Sequence, residues 1–116
     1  MAKVLNGHMA MQGDVAIIRI TDIPEGAIKQ DAINGHLIVT HSETGHNHVI
    51  DDSDDVALLQ DPDDELQAYL QVNSDSVELR HLRSFDTHET IIIPAGNYVV
   101  RRQREYIPEG YRRAAD

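Results

Sequence analysis

Apolar and polar residues alternate with a period of two along most of this chain. In residues 76–82, Val77, Leu79 and His81 fall on one side and Glu78 and Arg80 on the other. That is the pattern of a strand with one face against a core. The same reading predicts strands over residues 14–21, 36–42, 46–51, 56–60, 66–72, 90–93 and 97–106. Turn residues separate them: Ile23-Pro24-Glu25-Gly26, Asn34-Gly35, Glu43-Thr44-Gly45, Asp61-Pro62-Asp63-Asp64, Asn73-Ser74-Asp75 and Pro94-Ala95-Gly96. No segment sustains a helical period, and residues 64–71 are the one stretch read as a candidate short helix. Regularly spaced short strands predict an all-β domain, a small barrel or sandwich of about seven to eight antiparallel strands. The domain is expected to span residues 1–116, with 1–12 and 107–116 as peripheral arms.

The long last strand puts Tyr98, Val100, Arg102, Arg104 and Tyr106 on one face. Paired arginines suit a carboxylate or phosphate. A charged edge strand that resists aggregation is the plainer reading.

A chain of 116 residues can bury one modest core without covalent staples. Its apolar and charged fractions, 41% and 26%, are those of a soluble globular protein. No apolar run approaches the ~20 residues of a membrane-spanning helix, and the first residues lack a secretory hydrophobic stretch. With no cysteine there is neither a disulfide nor a thiolate zinc site. A cytoplasmic protein without a membrane partner is expected.

The net charge of −10 argues against nucleic acid as a partner, because phosphate binding needs positive potential. The charge is uneven. Asp51, Asp52, Asp54, Asp55, Asp61, Asp63, Asp64 and Glu65 crowd one stretch, whereas Arg101, Arg102, Arg104, Arg112 and Arg113 lie near the end. The acidic run reads as a solvated loop, or as a docking surface for the basic C-terminal segment of the same chain or of a neighbour in a homo-oligomer. It lacks the spacing of a calcium loop.

Candidate chemistry concentrates in Thr44-Gly45-His46-Asn47-His48-Val49. Residues two apart on a strand share a face, roughly 6.6–6.8 Å apart. Two imidazoles so placed can converge on one metal ion, each nitrogen about 2.0–2.1 Å from it. Gly45 suits the left-handed position that ends a three-residue hairpin loop. That loop sets Thr40 opposite His48 and turns His41 to the other face. A third ligand must come from elsewhere. His88, in Ser84-Phe85-Asp86-Thr87-His88-Glu89, sits in a loop entering the next strand and is preferred. His81, on the apolar face of its strand, is the second choice. The metal site is therefore read as His46, His48 and His88, holding a divalent transition ion such as Zn, Mn, Fe or Ni. His8, His36 and His41 are read as surface or structural residues. Three imidazoles with an open position would lower the pKa of a bound water and permit hydrolysis. Glu43 and Glu89 are candidate general bases, though no residue is assigned a catalytic role.

Two resemblances accompany these motifs. His46-Asn47-His48 with Asp52, then Pro94-Ala95-Gly96, resemble fragments of the two cupin motifs, which hold a metal inside a small β-barrel. Cupins favour Glu where Asp52 stands, and Val99 occupies the place of their second-motif histidine. Gln12-Gly13-Asp14-Val15, Thr44-Gly45-His46-Asn47-His48, the stretch 82–96 and Arg101-Arg102-Gln103-Arg104-Glu105-Tyr106 resemble a small family of uncharacterised bacterial and phage proteins. That likeness implies that His46, His48 and His88 act as a set, and it implies no reaction. The leading expectation is a small metal-binding β protein, possible hydrolase of a small or phosphorylated substrate. The alternative is a non-enzymatic, homo-oligomeric assembly protein with structural histidines.

Overall fold

Two long antiparallel strands organise the molecule: β8, Gln67–His81, and β9, Ile91–Arg102. The computed structural model describes residues 3–5, 7–12, 15–40, 48–81, 90–102, 105–107 and 110–112. Ahead of the long pair come β1 (Lys3–Val4), β2 (Met9–Gln12), β3 (Val15–Ile20), β4 (Ile28–Lys29), β5 (His36–Thr40), β6 (His48–Asp51) and β7 (Val56–Gln60). Among the described residues, β10 (Glu105–Ile107) and β11 (Gly110–Arg112) pair only with each other. The described residues contain no helix.

Different neighbours flank the two ends of the long pair. Beside Gln67–Val72, β8 pairs with β7, and the matching part of β9 pairs with β3. β4 and β2 extend those edges. Beside its other end, β8 pairs with β6, which pairs with β5, while β9 takes up β1 in parallel. The result is two wings sharing one bent ladder. β2 and β5 end the hydrogen-bonded path and do not pair with each other, so the sheet is not closed into a barrel.

One core fills the space between the wings. Val15, Ile17, Leu58 and Leu70 enter it from one wing, and Leu37, Ile50, Leu79 and Ile91 from the other. Each fully buried aliphatic side chain contributes roughly 1.5–3 kcal/mol, and burying either wing's apolar face requires the other. Alternation holds as expected where both faces are described: Leu79 is buried and Glu78 exposed. β7 has the bounds read from the sequence. Asn34 and Gly35 both have positive φ, 53° and 81°, and Ile33 and His36 exchange both backbone hydrogen bonds across them. This is a two-residue hairpin turn, for which Asn-Gly is a preferred pair.

Several expectations fail, and pairing explains each. Asn73-Ser74-Asp75 and Pro94-Ala95-Gly96 do not end strands. Val72 pairs with Gly96 and Ser76 with Pro94, so three residues of β8 oppose only Ala95 of β9. The two turn signals face each other and make one bulge, which bends the ladder between the wings. Pro94, lacking an N–H, is tolerated there. Gly96 has φ +148°, and a Cβ on it would lie 2.6 Å from Nη1 of Arg19. The guanidinium of Arg19 stacks over the Tyr98 ring, 5.0 Å from its centroid. The helix read over residues 64–71 is absent: from Gln67 the segment is strand, paired on both sides. Of the strand read over 97–106, residues 97–102 belong to β9 and 105–106 to β10, and residues 103 and 104 lie outside the described residues. Of residues 1–12, read as a peripheral arm, Lys3–Val4 and Met9–Gln12 form β1 and β2, and Leu5 and Gln12 are 3% and 2% exposed.

Candidate functional site

His48 opens β6 and is 6% exposed, a buried imidazole in an otherwise apolar run with Val49 and Ile50. Its Nδ1 lies 2.7 Å from Oε1 of Gln12. The amide nitrogen of Gln12 in turn donates to the carbonyl oxygen of Leu79 at 3.0 Å. This chain of contacts decides the tautomer. A carbonyl can only accept, so the Gln12 nitrogen must face Leu79 and the Gln12 oxygen must face His48. The imidazole therefore donates from Nδ1, and in its neutral form Nε2 carries the lone pair. Metal-binding histidines are held in this way, with the ring N–H engaged by a carbonyl or carboxylate.

Three strands build the arrangement. Gln12 comes from β2, at an edge of one wing, and reaches His48 on β6 and Leu79 on β8 in the other. It fastens the wings across the core. The backbone register pairs His48 with Thr40 on one side and with His81 on the other. The Thr40 pairing is the one expected from a three-residue hairpin loop, although a shift between Ile38 and Thr40 precedes it.

Of the three expected ligands, only His48 belongs to the described residues. His46 and His88 lie outside them, as do His41, Gly45, Glu43 and Glu89. Among the described residues, no three His, Asp or Glu side chains come together as a group able to hold a metal. Gln12 was not singled out from the sequence as a partner of His48. A four-residue strand has too little alternation to mark a polar side chain as buried, and the partner is 36 positions away.

A second polar network lies at the opposite end of β8. Oδ1 of Asp61 accepts the backbone N–H groups of Asp63 and Asp64 at 2.8 and 3.2 Å. Its Oδ2 accepts from the Tyr69 hydroxyl at 2.8 Å and from the Gln67 amide at 3.1 Å. The backbone N–H of Asp63, then the Tyr69 hydroxyl, hold the Asp61 carboxyl below the usual range. Burial first, then the hydrogen bond to Asp61, push the Tyr69 hydroxyl up. Gln60 shares its amide hydrogens among the carbonyls of Asp61, Asp64 and Gln67. Arg101 donates to Oε1 of Gln67 at 2.6 Å and lies 3.7 Å from Asp64. One C-terminal arginine thus meets the acidic stretch within the chain.

On the outer side of β5 and β6, Asp51 is approached by Arg80 and by Nδ1 of His36 at 3.2 Å. Nδ1 of His36 makes no aligned hydrogen bond there. At 70% exposure of Asp51, such pairs contribute little.

No helix among the described residues is long and apolar enough to cross a membrane. No curated protein and no solved structure matches the chain. One family model does match, over residues 11–103, which include Gln12, His48, Leu79 and both long strands. The chain therefore belongs to that family, described as a domain of unknown function, DUF8820.

Proposed function

We propose that this protein is a small metal-binding β protein whose divalent transition ion is held by His46, His48 and His88. The observation that carries the reading is the Gln12 relay. It places the ring N–H of a buried His48 on Nδ1, the tautomer in which metal-binding histidines are commonly held. The likeness of the Gly-His-Asn-His turn to uncharacterised bacterial and phage proteins supports treating the three histidines as a set. An ion held by three imidazoles keeps an open position for water or substrate. Its chemistry there would be hydrolysis of a small or phosphorylated substrate, with the ion lowering the pKa of the water.

The test is metal analysis of the purified protein, followed by stripping and titration with Zn, Mn, Fe and Ni. Near-stoichiometric binding of one ion is expected, weakening as pH falls below about 6.5, where protons compete for imidazole. Metal-replete protein that retains no ion after dialysis would overturn the reading.

A second reading is a non-enzymatic assembly protein. Its specific support is the exposure of Val4, Met9 and Ile28, between 53% and 57%, on the short edge strands β1, β2 and β4. Apolar strand edges invite pairing with a further chain. Light scattering across protein concentration tests it: a monomer at every concentration rejects it.

A further inference from the structure

We propose that the open edge of β4 pairs with the same edge of a second copy of this chain, antiparallel and centred on Gln30, so that Lys29 of each copy faces Asp31 of the other. This names the surface for the assembly reading above and rests on it.

Among the described residues, β4 has a neighbour on one side only, β7. Ile28 pairs with Gln60 and Lys29 with Leu59. The backbone N–H of Gln30 donates to the carbonyl oxygen of Leu58 at 2.8 Å, so the ladder runs one residue past the strand. Backbone groups along an antiparallel ladder point alternately toward and away from the partner. Ile28 and Gln30 therefore turn their N–H and C=O groups to β7. Those of Lys29 and, one alternation on, Asp31 turn outward. No second strand fills that edge among the described residues. Both side chains are exposed, and neither makes an ion pair among the described residues.

The order of the charges makes the edge self-complementary. In a two-fold contact, residue i meets residue j and j meets i. About an axis through Gln30, Lys29 meets Asp31 twice, and Ile28 meets Ala32 twice. Ile28 is 57% exposed in the single chain, and the partner's Ala32 would cover part of it. Other registers are poorer. A slip of one residue sets an outward-turned residue against one already bonded to β7. A slip of two sets Lys29 against Lys29 or Asp31 against Asp31, and like charges directly opposite repel. A lysine on an edge strand ordinarily keeps other strands away. Here Asp31, two positions along, neutralises it in one register alone. The ladder is short, so a transient dimer is expected.

The experiment is sedimentation of the full chain from about 1 μM to about 1 mM, near 0.15 M salt. There the Debye length is about 8 Å, and the repulsion between two chains of net charge −10 is largely screened. The parent should pass from monomer to dimer. Lys29→Asp and Asp31→Lys should each weaken the dimer about tenfold or more, since both cross-strand pairs become like-charged. An equimolar mixture of these two variants should dimerise again, because each introduced charge then faces its opposite. The double variant should also regain the parent's affinity. Lys29→Pro removes an outward N–H without touching the bonds to β7 and should weaken the dimer as well. Circular dichroism should show the sheet retained in every variant. A dimer that the single variants leave intact, or variants that stay monomeric when mixed, would overturn this interface while the assembly reading stands. A parent that is monomeric throughout would overturn both.

Discussion

Two polar networks hang on β8, one at each end, and they are built differently. At Gln67 and Tyr69 the network closes on itself: the Asp61 carboxylate collects two backbone N–H groups, a phenol and an amide. Every one of those donors comes from within eight positions in sequence. At Leu79 the network is a line, carbonyl to amide to imidazole, assembled from three strands. The first folds a loop. The second crosses the core and selects the tautomer of a ring nitrogen. A closed local network stabilises its own turn, whereas a buried line spanning two wings fastens distant segments and orients its end group.

Replacing the end group should have the largest effect. His48→Ala is expected to remove most bound metal, beyond the loss seen with any neighbour of the ligand, while His8→Ala, at an exposed position, leaves the metal content unchanged. Circular dichroism should show the sheet retained. Metal content unchanged in His48→Ala would break the comparison, leaving both networks structural.

Next comes the middle of the line. Gln12→Leu removes both hydrogen bonds at a position 2% exposed, with an expected destabilisation of about 1–3 kcal/mol in urea unfolding. Metal affinity should fall by about 10–100-fold, as for other residues that orient a ligand. Nitrogen NMR of the imidazole should report Nδ1–H in the metal-free parent and a mixed tautomer in the variant. A single unchanged tautomer in Gln12→Leu would show that something other than Gln12 orients the ring.

The closed network should respond to pH instead. Asp61 has a lowered pKa in the folded protein, so the unfolded chain binds its proton more readily. The stability it contributes is present above the ordinary carboxylate range and is lost as pH falls through the depressed folded value. Tyr69→Phe removes the second-largest cause of that depression and should make the acid limb of a stability–pH profile shallower. Tyr69 and Tyr98 are both raised, chiefly by burial, Tyr98 against the opposing charge of Arg19. Their contribution is present below the ordinary phenol value and is lost as pH rises through the raised one. Tyr69→Phe keeps the Tyr98 part of that alkaline limb. An unchanged acid limb would mean that the Tyr69 hydrogen bond to Asp61 carries no stability.

The smallest effect belongs to Arg101. Its contact with Asp64 spans 3.7 Å between half-exposed side chains, so Arg101→Gln should cost no more than ~0.2–1 kcal/mol, and less at high salt. A larger loss would show that the acidic stretch and the last strand are coupled more tightly than their exposure implies.

Strand identity was legible in the amino-acid sequence because it is a local property. Alternating side chains, as in Val77, Glu78, Leu79 and Arg80, can satisfy one buried face only as a strand. Asn34-Gly35 could be read as a turn because few residue pairs accept two positive φ angles. What the sequence could not decide was pairing. Asn73-Ser74-Asp75 and Pro94-Ala95-Gly96 each have the composition of a turn, and either alone would reverse the chain. Set opposite each other in register, they became one bulge inside two long strands. Residues 64–71 had a helical alternative until β7 and β9 took up the edges of the strand that begins at Gln67. The candidate site divides in the same way. His48 was visible from its glycine turn and its neighbouring histidine, a signal contained in a few residues. Gln12 was not, because its role depends on β2 being folded over the core onto a strand 36 residues away. Local sterics and side-chain period act within a few residues and can be read there. Register, burial of polar groups and the orientation of a ring nitrogen come from contacts between distant segments, and these exist only once the two wings have closed on a shared core.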